Sequence, residues 1–189
     1  MFYESSQRRS SGAISHAQKT ISNPIERLAM TYYKSGEVFQ KAVEMEIAGQ
    51  KFYQALAEKT GNKELRDMCI FLAEEEKKHQ IIFEKLLEKH QDFRADFSFD
   101  YYEYMEGLDL LSSEGFFRPD SGTVAELAAS GDWKQLMLAA MRIERDSITY
   151  YQEMRPVVMK DAQAAIDGII EQERAHFLKF LEIYRGKAD

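Results

Sequence analysis

The feature that most constrains this chain is a duplication. A Glu-x-x-His motif pairs Glu76 with His79 and recurs as Glu173 with His176, and a further glutamate precedes each, Glu46 by 30 residues and Glu144 by 29. A shift of 98 maps Ala42, Glu46, Tyr53 and Gln54 onto Ala140, Glu144, Tyr151 and Gln152. A shift of 97 maps Glu74, Glu76, His79 and Phe83 onto Glu171, Glu173, His176 and Phe180. One supersecondary unit is written twice, and any fold must place the two copies equivalently.

The periodicity makes each copy a pair of long helices. The first copy predicts a helix over 37–59, a stop at Gly61, an Asn62 cap and a second helix over 63–90. The second copy predicts a helix from about Asp132 to Arg155 and Pro156, then another over 161–185 with Gly186 as its stop. Upstream, Asn23 and Pro24 open a short helix toward Tyr33, which Ser35 and Gly36 interrupt. Between the copies, periodicity breaks at about 91–131, and Phe93, Phe97, Phe99, Tyr101, Tyr102, Tyr104, Phe116 and Phe117 crowd the segment. Ser121 or Thr123 caps a small helix over 124–129 there. That segment is too long for a turn and reads as a crossover packed on the bundle or on a neighbour. The expected fold is all-α, a four-helix bundle with one long crossover between its second and third helices. Residues 36–189 make the bundle, and 1–35 make a flexible basic arm plus the short helix.

In every long helix an apolar stripe is interrupted at mid-length by acid, or by acid and imidazole. Phe39, Ala42 and Val43 lead to Glu46, and Leu65, Cys69 and Leu72 lead to Glu76 and His79. Trp133, Met137 and Ala140 lead to Glu144, and Ile166 and Ile169 lead to Glu173 and His176. Glu-x-x-His places both side chains on one helical face. The heights agree as well. The sequence midpoint of Glu46 and Glu76 is Gly61, so the chain travels about 21 Å out and the same distance back. The midpoint of Glu144 and Glu173 falls between Val158 and Met159, inside the second predicted turn. Four carboxylates converging in a core without partners would unfold it, and bound dications remove that objection. The repeat also selects among neighbours. Glu75 corresponds to Gln172 and Glu44 to Arg142, which leaves Glu76 and Glu46 as the candidates. His16 and His90 have no counterpart and are expected on the surface.

Charge and cysteine usage narrow the function classes. The 189 residues are 44% hydrophobic and 30% charged with a net charge of −7, which argues against a nucleic-acid surface. The lone Cys69 rules out an intramolecular disulfide and a thiolate cluster, and reads as a core residue in a reducing compartment. No apolar run approaches the ~18 residues that span a membrane. The N-terminal stretch lacks a secretory apolar segment. A cytoplasmic protein is expected.

The runs EIAGQKFY at 46–53 and EKKH at 76–79, with ERDSITYY at 144–151 and ERAH at 173–176, resemble the rubrerythrin family of ferritin-like di-iron proteins. The resemblance covers about 37–90 and 132–185. It implies a ferritin-like bundle in which Glu76 and Glu173 bridge two metals. Glu46 and Glu144 would be terminal carboxylates, and His79 and His176 would each bind one metal. Tyr53 and Tyr151 match tyrosines that hydrogen-bond the ligand carboxylates. Two departures stand out. A single cysteine cannot build the rubredoxin domain that rubrerythrins use for electron delivery. Ser147 stands where the family often has a further glutamate that supports a redox-linked iron shift.

Six ligands, four of them anionic, suit two divalent ions, with iron favoured and manganese or zinc chemically possible. The expected activity is reduction of hydrogen peroxide or oxygen by a di-iron centre, re-reduced by an external electron donor. The alternatives are a ferroxidase that stores or delivers iron, and a metal-stabilised partner module. A homodimer is expected, because exposed crossover aromatics need covering.

Overall fold

The computed structural model describes residues 35–91, 99–114, 126 and 132–186. Helix α1 spans Ser35–Lys59 and α2 spans Lys63–His90. The Asn62 side chain caps α2 by accepting from the Leu65 amide at 3.1 Å, the predicted cap in its predicted place. Helix α3 spans Phe99–Glu114, and α4 spans Trp133–Met154 behind an Asp132 cap that accepts from the Gln135 amide at 3.2 Å. Pro156 sits in a single 3-10 turn, Arg155–Val157, and α5 spans Lys160–Gly186. Proline cannot continue α4, so the chain reverses here.

Helices α1 and α2 form one hairpin, and α4 and α5 the other. The hairpins join side by side, α1 on α4 and α2 on α5, and α3 lies on α4. Each adjacent pair of the four-helix ring runs antiparallel. Tyr53 and Tyr151 on α1 and α4 reach Glu144 and Glu46 in opposite order, and on α2 and α5 His79 meets Gln172 while Lys89 meets Asp161. Helices α2 and α4 therefore run in the same direction, which is why the link between them must travel the length of the bundle. No helix among the described residues is long and apolar enough to cross a membrane.

The core is filled from the predicted stripes. Phe39, Ala42, Leu56, Cys69, Leu72, Phe83, Ala140, Ile166 and Phe180 are all fully buried. Burial pushes the Cys69 thiol up to about 12, as expected of a packing residue.

Three expectations are corrected. The first long helix begins at Ser35 rather than at about 37, so Ser35 and Gly36 are helical and open α1. A Cβ at Gly36 would lie 3.5 Å from Leu87 Cδ1 and from the Gln91 carbonyl, so close packing on the end of α2 overrides the poor helix propensity of glycine. The aperiodic crossover contains α3, whose Met105 is buried and whose Tyr101 hydroxyl donates to the Glu153 carbonyl. It is held by docking on α4 rather than by an amphipathic stripe of its own. His90 is buried rather than on the surface, because the start of α1 covers it. Its ring centroid is 6.2 Å from that of Phe39, and its Nε2 is 3.4 Å from an Asp161 oxygen. The short helix near 24–33, His16, Phe93, Phe97, Phe116 and Phe117 lie outside the described residues. So does the predicted helix at 124–129, apart from residue 126, which is helical.

Candidate metal centre

The four long helices bring all six predicted side chains to one level of the interior. Glu46 comes from α1, Glu76 and His79 from α2, Glu144 from α4, and Glu173 and His176 from α5. None is more than 5% exposed. They form two overlapping groups whose ligand atoms lie within 4.8 Å of one another: Glu46, Glu76, His79 and Glu173, and then Glu76, Glu144, Glu173 and His176. Glu76 and Glu173 are common to both.

The Nδ1 atom of His79 is 3.0 Å from Glu173, 3.3 Å from Glu76 and 3.7 Å from Glu46. The Nδ1 atom of His176 is 3.1 Å from Glu173 and 3.8 Å from Glu144. The two imidazoles stack with centroids 6.0 Å apart. The arrangement is close to two-fold, as the repeat requires.

Both tyrosines contact the cluster, and they do so crosswise. Tyr151 donates to Glu46 at 2.6 Å, and Tyr53 donates to Glu144. Burial raises both phenol pKa values, and the facing Glu46 and Glu144 raise them further, so the hydroxyls remain donors. Tyr53 stacks on Phe180 and Tyr151 leans on Phe83, which seals the cluster above and below with rings.

Such a cluster is electrostatically costly on its own charges. Burial raises Glu46 well above the usual carboxylate range, and the neighbouring Glu76 raises it further. Burial and Glu173 do the same to Glu144 and, less strongly, to Glu76. Burial would raise Glu173 too, but hydrogen bonds from His176 and His79 outweigh it and hold this carboxyl at about 2. Burial opposes charge on the imidazoles, yet the carboxylates prevail: His176 is pushed up to about 10, and His79 is raised by Glu173, Glu46 and Glu76. The cluster thus keeps near-neutrality by carrying protons on the atoms that would bind metal. Glu144 Oε2 is buried without a hydrogen bond, its nearest imidazole nitrogen being His176 Nδ1 at 3.8 Å, a state such oxygens rarely tolerate. Acidic and imidazole donors, an orphaned carboxylate oxygen and two shared carboxylates all fit a pair of divalent cations.

Two contacts were not singled out by the sequence reading. Gly49 on α1 faces Glu76, where a Cβ would lie 3.4 Å from its Cγ. Gln172 on α5 places Oε1 2.7 Å from His79 Nε2. The repeat could have pointed to Gln172, since it adjoins Glu173 and replaces an acid of the first copy. Ser147, at the position of the family's further glutamate, is buried.

A four-helix bundle with carboxylates and histidines gathered at mid-height is a ferritin-like arrangement, and its two overlapping groups could hold metal. Comparison with known proteins is more particular. The rubrerythrin family model matches residues 37–108, which hold α1, α2 and the first part of α3. A solved structure from Thermotoga maritima, described as a ferritin-like diiron-carboxylate protein, is similar over 82% of this chain and 96% of its own, with a TM-score of 0.58 and 26% identity. No curated protein matches at the sequence level. The rubrerythrin resemblance read from the motifs therefore holds for the first copy, and the ferritin-like fold holds for the bundle.

Proposed function

We propose that this chain is a rubrerythrin-like di-iron oxidoreductase that reduces hydrogen peroxide, or oxygen, with electrons from an external donor. The observation that carries the reading is the pair of overlapping four-residue groups sharing Glu76 and Glu173. Glu46 and His79 would hold one iron, Glu144 and His176 the other, and Glu76 and Glu173 both. A ferrous pair held there would supply the two electrons that turn peroxide and two protons into two waters. The protein's own part is to position and to seal. Tyr151 and Tyr53 hold the terminal carboxylates, and Phe83, Phe180 and the apolar stripes exclude bulk water. An external donor would re-reduce the pair after each turnover.

The alternative is iron storage or delivery. Anaerobic ferrous loading followed by peroxide or air, watched by absorbance with metal counting, separates the two. Two irons per chain oxidised much faster by peroxide than by air is the expected result. Fast oxidation by air with uptake far beyond two irons would favour storage, and no bound iron would favour a non-catalytic module. We also place the working form as a homodimer that covers exposed groups such as Tyr104 and Leu110 on α3. A monodisperse monomer in sedimentation would count against that assembly.

A further inference from the structure

Gln172 precedes Glu173 on α5 and reaches across to α2, where its side-chain oxygen lies 2.7 Å from His79 Nε2. That oxygen can only accept, so Nε2 carries the hydrogen. The opposite ring nitrogen, Nδ1, is the one directed at Glu173, Glu76 and Glu46. The contact therefore does two things. It fixes the plane of the imidazole, and it keeps the hydrogen on Nε2, so that when Nδ1 gives up its proton to a metal the lone pair left there points into the carboxylate cluster.

Among the described residues the other imidazole has no such support. His176 Nδ1 faces Glu173 and Glu144 in the equivalent way, but among the described residues no hydrogen bond reaches its Nε2. The repeat pairs Gln172 with Glu75, and Glu75 is tied to Lys78 on its own helix instead. Two halves that agree in all six cluster residues thus differ in how their histidines are held.

We propose that Gln172 is a positioning residue that makes the metal position of Glu46 and His79 tighter than that of Glu144 and His176. The inference rests on the metal-binding reading of the site. The two cations bind in sequence, and the first enters where the imidazole is already oriented. Preorganisation of this kind typically changes metal affinity by about 10–100-fold.

Titration of the full-length, chelator-treated chain with cobalt(II), by equilibrium dialysis and visible absorption, tests this. The wild type is expected to bind in two steps. Gln172→Leu should weaken the tighter step about 10–100-fold and shift the ligand-field bands of the first cobalt, while the second step changes by less than about threefold. Gln172→Glu, which keeps the acceptor, should restore both the affinity and the bands. Gln172 is exposed on α5, and thermal melts of the chelated variants report whether the fold is intact. If Gln172→Leu does not fold, Gln172→Asn withdraws the acceptor without adding apolar surface and carries the same expectation. Two cobalt ions bound by Gln172→Leu with the wild-type isotherm and spectrum would overturn the inference and leave the metal reading intact. A wild-type chain that binds no cobalt would overturn the metal reading, and the inference with it.

Discussion

Tyr151 on α4 donates its phenolic hydrogen to Glu46 on α1 at 2.6 Å, across 105 positions of sequence, and Tyr53 returns the contact to Glu144. Each copy of the repeat supplies the tyrosine that holds the other copy's glutamate. The site is therefore tied to the pairing of α1 with α4, not to either hairpin alone. Tyr151→Phe leaves a buried carboxyl oxygen without its donor, which costs about 1–3 kcal/mol. Urea unfolding of the chelated protein should show a lower midpoint with an unchanged slope. An unaltered midpoint would show that Glu46 does not depend on this hydroxyl.

Sharing of Glu76 between the two groups makes its loss different from that of Glu46. Glu76→Ala removes a ligand from both metal positions and is expected to abolish stoichiometric binding and peroxide-driven oxidation. Glu46→Ala removes a ligand from one position and should leave roughly one metal per chain. Metal counting on dialysed samples checks both, and equal stoichiometry in the two variants would refute the shared role.

The proton load of the cluster sets the pH dependence. Raised folded pKa values mean that folding takes up protons, so their contribution is full below the unfolded pKa and lost as pH rises through the folded one. For His176 that window runs from 6.5 to about 10. For Glu46 and Glu144 it opens above 4.5. Glu173 acts in the opposite sense, its contribution being lost only as pH falls from 4.5 toward 2. The chelated chain should melt highest near about pH 5 and fall steadily on the alkaline side. The metal-loaded chain should reverse this, because protons and metal compete for the same atoms. Parallel melting curves with and without chelator would contradict the assignment.

Gly49 leaves room for a methyl group against Glu76. A Cβ there would stand 3.4 Å from Glu76 Cγ and 3.5 Å from its Cδ, ordinary contact distances. Gly49→Ala is therefore expected to stabilise the chelated protein by up to about 1 kcal/mol through helix propensity. Gly49→Val carries two further methyls, which press on Glu76, so both the melting temperature and metal affinity should fall. Calorimetry paired with metal titration checks the contrast.

Much of this protein is legible in one dimension because it is written twice. The repeat, the Asn62 cap and the turn midpoints, at Gly61 and between Val158 and Met159, determine helix lengths and a common height for Glu46, Glu76, Glu144 and Glu173. These are local quantities, fixed by 3.6 residues per turn and by side-chain caps. Other features depend on which helices meet and cannot be read from spacing. The burial of His90 needed the start of α1 to close over it, and α3 is helical because it docks on α4. The crossed tyrosine contacts required α1 to lie antiparallel to α4. Gln172 differs from Glu75 in sequence, yet only the approach of α5 to α2 brings its amide to His79. Ring orientation and hydrogen-bond partners across a bundle are properties of packing, and it is packing that makes two halves of like sequence unequal.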